Sequence, residues 1–506
     1  MRKELEKLIS LDKERVMIAH MSALLSWDRE THMPSGAAED RARQIAYLEG
    51  LAHEKAVNPE IGDLLEALGS TDENPLGDSS LDSSARAFLR ILRRFHSRET
   101  KLPADLVTET AEAESLAQCA WVDARAGNDF ASFLPHLERV LALKRRAADC
   151  LDPSKPAYDV LLDLFEPGSD EASLRKVFTA LRGDLVSLLN KIRSRPQVDD
   201  SFLHRRCPEA AQAAASRYFM EVLGYDMRRG TLDTTAHPFT TTLGPSDVRI
   251  TTRYDETDFL SGLFSTIHET GHALYEQGIA VPAEYRGTCL SDGASMGVHE
   301  SQSRMWENVV GRSREFWSRE YPALKAVLGE TLSGVSLESF VRGINKVEPA
   351  YIRTEADEVT YGLHIILRFE MESELFSGRL AACDVPAAWN ARTKELLGFV
   401  PPDDARGCLQ DVHWSEGLFG YFPSYALGNL YAAQFLGKMR ADVPDMDDRI
   451  RSGEYFAVLD WLRANVHAPG ASYLPDELCR RVTGEPLDAR YFLEYLTRKY
   501  SEIYGF

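Results

Sequence analysis

A mainly α-helical fold with one small antiparallel β-hairpin is predicted by three observations on this sequence. Apolar residues recur at three- and four-residue spacing through most of residues 3–223, which is typical of amphipathic helices. Residues 237–254 are instead rich in threonine and β-branched types in near alternation. No shift in composition marks a domain boundary, so we expect one large domain over residues 1–506, which could be divided into two lobes.

The helical pattern covers seven stretches that are separated by breaker residues. Met33-Pro34-Ser35-Gly36 and Pro153-Ser154-Lys155-Pro156 are the clearest of these breakers. The predicted helices are residues 3–30, 36–56, 84–98, 104–126, 131–150, 171–193 and 206–223.

The β-hairpin is predicted from two threonine-rich segments, residues 237–242 and 247–254. Leu243-Gly244-Pro245-Ser246 between them is a turn signal. An edge strand could hold an extended peptide through main-chain hydrogen bonds, or the hairpin could be purely structural. The sequence leaves these two interpretations open.

Residues 268–272 read HETGH within the helix that follows the hairpin. We expect that helix to begin after Asp258 as N-cap and to end at Gly278 as the C′ residue. The HExxH spacing places His268 and His272 one turn apart on one face, where both imidazoles can bind a metal ion.

A catalytic zinc site needs a third protein ligand, an open coordination position and a base. Glu269 is the candidate general base, because it neighbours both histidines. Glu300 is the candidate third ligand, in a helix expected to run to about Phe316. His299 competes with Glu300 on residue type, but adjacent helical residues point about 100° apart, so only one of them faces the metal easily.

Three later segments contain residues that a peptidase could use. They are residues 351–357 with Arg353, residues 407–414 with His413, and residues 420–428 with Tyr421 and Tyr425. An arginine could hold a substrate carboxylate, and an imidazole or phenol could stabilise an oxyanion. Residue type alone favours a structural role for each of them: a salt bridge for Arg353, a hydrogen-bonded loop position for His413 and a core position for the two tyrosines.

Composition limits the partners and the compartment. A net charge of -20 argues against nucleic acid or an anionic membrane as the main partner. Seven widely spaced cysteines without a CxxC pair are typical of reduced thiols in a cytoplasmic protein. The first residues lack a signal-peptide pattern, and no stretch is apolar enough for a membrane span.

Five motifs in order resemble those of the thermostable carboxypeptidase family (carboxypeptidase Taq). They are DVRIT at 247–251, HETGH at 268–272, HESQ at 299–302, IRTEAD at 352–357 and GCLQDVHW at 407–414. Residues 24–42 also resemble the N-terminal region of that family. The resemblance implies a large helical fold with a deep central cleft, similar to angiotensin-converting enzyme and the thimet and neurolysin oligopeptidases. It also implies a homodimer and a metallocarboxypeptidase of broad specificity that acts on peptides.

The resemblance assigns roles to individual residues. It implies that His268, His272 and Glu300 bind one divalent metal ion, zinc or alternatively cobalt, and that Glu269 is the base. It implies that Arg353 holds the terminal carboxylate and that His413 and one of Tyr421 and Tyr425 lie beside the oxyanion. Arg249 matches the DVRIT motif together with Asp247 and Thr251. We expect this motif to shape the cleft, and we therefore assign Arg249 to substrate binding.

Two other functions compete with carboxypeptidase activity. An endo-oligopeptidase would use the same HETGH chemistry without an anchor for a terminal carboxylate. A non-catalytic protein with a structural metal site would have no use for Glu269. The sequence favours the carboxypeptidase over both.

Overall fold

The structure is a computed structural model that describes residues 2–506, and it is mainly α-helical. The helices are α1 Lys3–Thr31, α2 Ala38–Ala56, α3 Pro59–Ala67, α4 Ser83–Lys101, α5 Ala104–Gly127, α6 Phe130–Leu151, α7 Ala157–Phe165, α8 Glu171–Arg193, α9 Glu209–Leu223, α10 Phe259–Gly278, α11 Met296–Arg304, α12 Arg314–Leu328, α13 Leu337–Gly343, α14 Glu358–Ser377, α15 Val385–Leu397, α16 Phe422–Asp442, α17 Met446–Ser452, α18 Phe456–Leu462, α19 Pro475–Thr483 and α20 Arg490–Tyr504. The strands are β1 Leu232–Thr234, β2 Thr240–Gly244 and β3 Asp247–Thr252. Within residues 2–506, none of the helices has the length and hydropathy that crossing a bilayer requires.

The backbone divides into two compact units. The first unit comprises Met1–Thr100, Asp199–Ile344 and Ala432–Pro486, and the second comprises Lys101–Val198, Asn345–Tyr431 and Leu487–Phe506. The small sheet and helix α10 belong to the first unit, and helix α14 belongs to the second. That the chain acts as one catalytic domain stays a prediction.

The seven helices predicted between residues 3 and 223 are confirmed, and their ends differ from prediction by three residues at most. The largest difference at a start is in α9, which begins at Glu209 instead of 206. Pro208 precedes it and disfavours helical geometry at Cys207, so the chain can become helical only after the proline.

The predicted antiparallel hairpin is confirmed, and a third strand that the sequence analysis did not predict makes the sheet mixed. Strands β2 and β3 pair antiparallel, and β1 adds to the other edge of β3 in parallel. At three residues, β1 is too short to show an alternating pattern in the sequence. Strand β2 starts at Thr240, later than the predicted residue 237, because Pro238 has no N–H to donate to a neighbouring strand.

Helix α10 begins as the sequence predicts and ends differently. The Asp258 side chain accepts a hydrogen bond from the backbone N–H of Ser261 and caps the helix. Gly278 is not the C′ residue, since it is still helical and Ile279 follows in extended conformation. A Cβ on Gly278 would lie 2.4 Å from Nδ1 of His467, so close packing, not a left-handed turn, explains this glycine.

The helix that contains Glu300 does not run on to Phe316 as predicted. Helix α11 ends at Arg304, a π-helical segment covers Met305–Val310, and α12 starts at Arg314. A π-helical turn shifts the register of the side chains that follow it. Here it turns Glu307 toward the HETGH helix, where its carboxylate contacts His268.

Helices α10 and α11 pack very closely at one glycine. A Cβ on Gly271 would lie 2.6 Å from the carbonyl oxygen of Gln302 and from Cα of Ser303. Only glycine allows this approach, because any larger residue would push the two helices apart. The contact brings the HETGH and HESQ motifs together.

Candidate metal centre and active site

Three side chains converge where α10 and α11 meet in the first unit. His268, His272 and Glu300 each offer a ligand atom, and these atoms all lie within 4.8 Å of one another. Oε2 of Glu300 is 3.6 Å from Nε2 of His268 and 3.4 Å from Nε2 of His272. Among residues 2–506, this is the one group of three such side chains with suitable geometry.

The donor set fits a divalent metal ion. Zinc–nitrogen and zinc–oxygen bonds of about 2.1 Å in tetrahedral geometry place ligand atoms about 3.4 Å apart. The distances from Glu300 to His268 and His272 lie close to that value. Two imidazoles and one carboxylate suit zinc and cobalt alike.

Two residues one helical turn further along the chain, Ser303 and Arg304, hold Glu300 in position. Nε of Arg304 donates to Oε1 at 2.7 Å, and Oγ of Ser303 lies 3.0 Å from Oε2. Burial opposes the ionisation of Glu300, but Arg304 and the two imidazoles outweigh burial and hold its pKa well below the usual range. Glu300 is therefore an anion at neutral pH, as a metal ligand must be.

His268 is oriented by Glu307 on the π-helical segment. Nδ1 of His268 lies 2.9 Å from Oε2 of Glu307, which also accepts from Arg304 at 3.0 Å. A carboxylate can only accept, so His268 carries its proton on Nδ1 when its Nε2 binds metal.

His272 is oriented by two further side chains. Its Nδ1 lies 2.6 Å from Nδ1 of His299, and Nε2 of His299 lies 2.8 Å from Oε1 of Glu276. His299, which competed with Glu300 as a ligand in the sequence, thus contacts the far side of His272 and not the ligand cluster. Burial lowers the pKa of His272 to about 3, so this imidazole is neutral.

Glu269 lies beside the cluster and is only 7% exposed. The hydroxyl of Thr240 on β2 contacts Oε2 of Glu269 at 2.6 Å and the Glu269 carbonyl oxygen at 2.9 Å. Burial raises the pKa of Glu269, and His268 and Thr240 oppose the rise. A carboxylate with a raised pKa is a stronger base, which suits proton transfer from water.

In the second unit, Arg353 belongs to a buried cluster with Asp411 and Arg368. Nε of Arg353 donates to Oδ1 of Asp411 at 3.0 Å, and Arg368 donates to Oδ2 at 2.7 Å. Gln410 accepts from the Arg353 backbone and from the Arg368 side chain. Arg353 is 6% exposed and Arg368 is fully buried.

The arginine cluster carries an excess positive charge. Arg353 and Arg368 contribute two positive charges, and Asp411 contributes one negative charge. Burial opposes the ionisation of Asp411, but the two arginines hold its pKa well below the usual range, so it stays charged. An uncompensated charge in a buried place is unfavourable unless an anion binds there. The cluster is therefore suited to a carboxylate ligand.

His413 and Tyr425 lie next to the arginine cluster. Nε2 of His413 is 3.1 Å from the Tyr425 hydroxyl, and the Tyr425 ring lies 4.8 Å from the Arg353 guanidinium. Burial lowers the pKa of His413 to about 4, and Arg353 contributes in the same direction. Tyr421 packs edge-on against Phe165 and against Tyr425. The geometry links Tyr425 more directly than Tyr421 to His413.

Arg249 lies on β3 in the first unit and is paired within its own motif. It donates to both carboxylate oxygens of Asp247, at 2.9 and 2.8 Å, and its guanidinium lies 4.4 Å from the Trp27 ring. Thr251 of the same motif bonds with Thr235 and with the Phe239 backbone. These contacts are structural, and substrate binding by Arg249 stays a prediction.

Several residues of the two clusters received no role from the sequence. They are Thr240, Glu276, Glu307, Arg368 and Asp411. Glu276 had a detectable signal, since it follows His272 by one helical turn. Glu307 had none, because a π-helical segment that reads as ordinary helix turns it toward His268. Arg368 and Thr240 had none, because their partners are distant in the sequence.

Comparison with known proteins identifies the same family that the sequence motifs resemble. A family model described as carboxypeptidase Taq (M32) metallopeptidase matches residues 7–500. The chain is 45% identical to thermostable carboxypeptidase 1 of Thermus thermophilus, with 99% of each chain covered, and 40% identical to carboxypeptidase 1 of Bacillus subtilis, with 96% of each covered. The crystal structure of M32 carboxypeptidase from Deinococcus radiodurans superposes with a TM-score of 0.95 at 39% identity, over 100% of both chains.

Proposed function

The chain belongs to the carboxypeptidase Taq (M32) metallopeptidase family and is a metallocarboxypeptidase; from that premise we propose a zinc-dependent enzyme that removes single residues from the C-termini of peptides with broad specificity. His268, His272 and Glu300 are the proposed ligands of one metal ion per chain. Zinc is the first choice and cobalt the alternative, because the donor set suits both.

Glu269 is the proposed general base. A bound divalent cation would supply an acidified water and polarise the scissile carbonyl. Glu269 would accept a proton from the attacking water and pass it to the leaving amine, which frees its carboxylate for the next cycle. The hydroxyl of Thr240 supports this role, because it holds one carboxylate oxygen, Oε2, in a fixed position.

Arg353 is the proposed anchor for the terminal carboxylate of the substrate. The observation that carries this proposal is the excess positive charge that Arg353 and Arg368 share over the single acid Asp411. A terminal carboxylate would balance that charge through a charge-assisted hydrogen bond. An endopeptidase would gain nothing from such a buried charge.

His413 and Tyr425 are the proposed donors to the oxyanion. A neutral imidazole and a phenol can both donate a hydrogen bond without carrying a full charge. The lowered pKa of His413 supports the neutral form at physiological pH. Tyr421 is the second candidate for the phenol, through its contact with Tyr425.

Peptide amidation tests the assignment. A peptide with a free C-terminus and its amidated twin differ by one charge, and we expect cleavage of the free form only. Mass spectrometry should give a ladder of one-residue losses. Equal cleavage of the amidated twin, or internal fragments from peptides blocked at both ends, would favour an endo-oligopeptidase instead.

Compartment and assembly are further parts of the proposal. We place the enzyme in the cytoplasm, because all seven cysteines are unpaired, as in reducing compartments. We expect a homodimer with peptides as its substrates and no role for nucleic acid or membranes. Light scattering of the purified protein would test the dimer.

A further inference from the structure

Arg304, the last residue of α11, contacts two acids at the candidate metal centre in the first unit. Its Nε donates to Oε1 of Glu300 at 2.7 Å, and its Nη1 donates to Oε2 of Glu307 at 3.0 Å. The Arg304 side chain is only 15% exposed. Oε2 of Glu307 also contacts His268. One guanidinium therefore contacts a proposed metal ligand, Glu300, and the acid that orients a second ligand.

The two carboxylate oxygens of Glu300 face different partners. Oε2 faces the imidazoles, at 3.6 Å from Nε2 of His268 and 3.4 Å from Nε2 of His272. Oε1 instead accepts from Arg304. The hydroxyl of Ser303 has one proton, and its nearer acceptor is the Glu300 carbonyl oxygen at 2.7 Å, since Oε2 is 3.0 Å away. Oε2 is therefore the oxygen of Glu300 that is placed to bind a cation.

The contact between Arg304 and Oε1 of Glu300 is held from both sides. The guanidinium uses two different nitrogens for two acids, which fixes the orientation of its plane. Glu307 is held in turn by His268 and by Arg312, whose Nη2 lies 3.5 Å from Oε1 of Glu307. A charge-assisted hydrogen bond between buried groups is costly to break, because each partner would lose its counter-charge away from water. Oε1 of Glu300 is therefore committed to Arg304.

This commitment limits how Glu300 can bind a cation. A carboxylate binds a divalent cation through one oxygen or through both. Binding through both oxygens would bring the cation next to Oε1, where it would be repelled by the guanidinium of Arg304 and would weaken the hydrogen bond from Nε. Glu300 therefore offers one oxygen, and together with the two imidazole nitrogens the cluster offers three protein donor atoms.

We propose that Arg304 is a positioning residue that holds Glu300 as a one-oxygen ligand and thereby favours a four-coordinate ion over manganese. Three protein donors and one water molecule suit zinc. Manganese prefers six ligands, mostly oxygens, so a second carboxylate oxygen would help manganese more than zinc. The inference rests on the proposed function, because it takes the proposed ligands as given, and it adds a residue that determines the choice of metal.

The test measures the affinities of the protein for zinc and for manganese by competition with a chelator, without an activity assay. Sites with nitrogen ligands prefer zinc to manganese in general, so the wild-type preference alone tests nothing. The informative quantity is the change in the zinc-to-manganese affinity ratio. Loss of one positive charge raises the affinity for both dications alike, and this electrostatic effect cancels in the ratio.

Two variants of Arg304 release Oε1 of Glu300 to different extents. Arg304→Met has an unbranched side chain without charge or donors, and we expect the zinc-to-manganese ratio to fall about tenfold, within the range for groups that orient metal ligands. Arg304→Lys keeps the charge, but a single ammonium lacks the fork that bonds both acids, so we expect a smaller fall. Circular dichroism checks the fold, and Arg304→Lys carries the test if Arg304→Met does not fold.

Arg312→Met is the matched control. Arg312 contacts Glu307, the Ile344 carbonyl oxygen and the Phe264 ring. Its replacement removes a guanidinium from the same region and leaves the bond between Arg304 and Glu300 in place. We expect the wild-type zinc-to-manganese ratio in this variant.

The visible spectrum of bound cobalt(II) gives a second measurement. Four-coordinate cobalt absorbs visible light strongly, and cobalt with five or six ligands absorbs weakly. We expect strong absorption in the wild type and in Arg312→Met. In Arg304→Met the absorption should weaken, because Glu300 can then bind through both oxygens.

The outcomes separate this inference from the proposed function. An unchanged ratio with an unchanged cobalt spectrum in both Arg304 variants would overturn the inference. A parallel loss of zinc and manganese affinity would overturn it too, since Arg304 would then support only the packing of α11. Failure of the zinc-loaded wild type to cleave any free-carboxylate peptide would overturn the proposed function instead, while the affinity ratio would still report on Arg304.

Discussion

His272 and His299 face each other through their Nδ1 atoms at 2.6 Å, so one proton lies between them. Nε2 of His299 faces the Glu276 carboxylate at 2.8 Å and must carry a proton, because a carboxylate only accepts. If His299 is neutral, its Nδ1 is then the acceptor and His272 donates from Nδ1. That arrangement leaves Nε2 of His272 with the lone pair that a metal ligand needs.

Removal of this contact should weaken metal binding. His299→Ala deletes the acceptor for His272, and we expect the metal affinity to fall about 10- to 100-fold, as for other partners of ligating histidines. Competition with a chelator measures the affinity directly and without an activity assay. Glu276→Gln still offers a carbonyl oxygen to Nε2 of His299, so it should keep the affinity within a few-fold of wild type. An affinity unchanged in His299→Ala would contradict the proposed orientation.

Glu269 should be needed for turnover but not for metal. Glu269→Gln preserves the shape of the side chain and removes its basicity. We expect an unchanged metal content and a fall in kcat of about 10²- to 10⁴-fold, which is the usual contribution of a general base. Elemental analysis and peptide hydrolysis on the same preparation check both halves. A near-normal kcat would remove Glu269 from the mechanism and favour a different base.

The convergence of candidate residues in the first unit was largely predictable because local rules place most of them. The HExxH spacing puts two candidate ligands and the proposed base on one helix, and Asp258 marks where that helix begins. The π-helical segment was not predictable, since Met305–Val310 reads as ordinary helix by its apolar spacing. Without it, the contact between Glu307 and His268 could not be found in the sequence.

The cluster of Arg353, Arg368 and Asp411 in the second unit could not be predicted from local sequence rules. Arg353 and Asp411 are 58 residues apart in sequence, and Arg368 lies on a third element. No periodicity connects residues so distant, because tertiary packing alone brings them together. Resemblance to a family identified Arg353, and the structure was needed to find the excess charge.

Close packing at Gly271 gives a prediction for the metal centre. Gly271→Ala would place a methyl group 2.6 Å from α11, and the two helices must separate. Because α10 holds the histidines and α11 holds Glu300, we expect weaker metal binding and a loss of stability of about 1–3 kcal/mol. The matched control is Gly183→Ala in α8, where no atom lies within 4 Å of the new methyl group. That change should raise stability by about 0.4–1 kcal/mol, and a similar gain in Gly271→Ala would contradict the packing argument.

Arg353 should control the use of the substrate carboxylate. Arg353→Met keeps much of the side-chain volume and leaves Arg368 and Asp411 as a neutral pair, so the fold should survive. We expect kcat/KM for free-carboxylate peptides to fall about 10²-fold or more, since a buried charged hydrogen bond is lost. Circular dichroism checks the fold, and kinetics on the same sample checks the activity. Retention of full activity would assign the carboxylate to another group.

Glu372 gives a test that involves stability alone. Burial raises its pKa to about 7, although Trp414, Tyr158 and the Gly420 backbone all donate to its carboxylate. The folded protein then keeps this proton up to about pH 7, whereas the unfolded chain loses it near pH 4.3. Raising the pH between these values therefore favours unfolding, by about 2 kcal/mol from pH 5 to pH 7.5.

Glu372→Gln has no proton to lose, so its stability relative to wild type should depend on pH. The amide offers one oxygen to three donors, and we expect the variant to be less stable by about 1–3 kcal/mol at pH 5. At pH 7.5 this deficit should shrink by about 2 kcal/mol, because the wild type has lost its advantage. Urea unfolding of both proteins at the two pH values measures the difference, and other titrating groups cancel in the comparison. An equal deficit at both values would mean that the three donors outweigh burial and keep Glu372 charged in the folded protein.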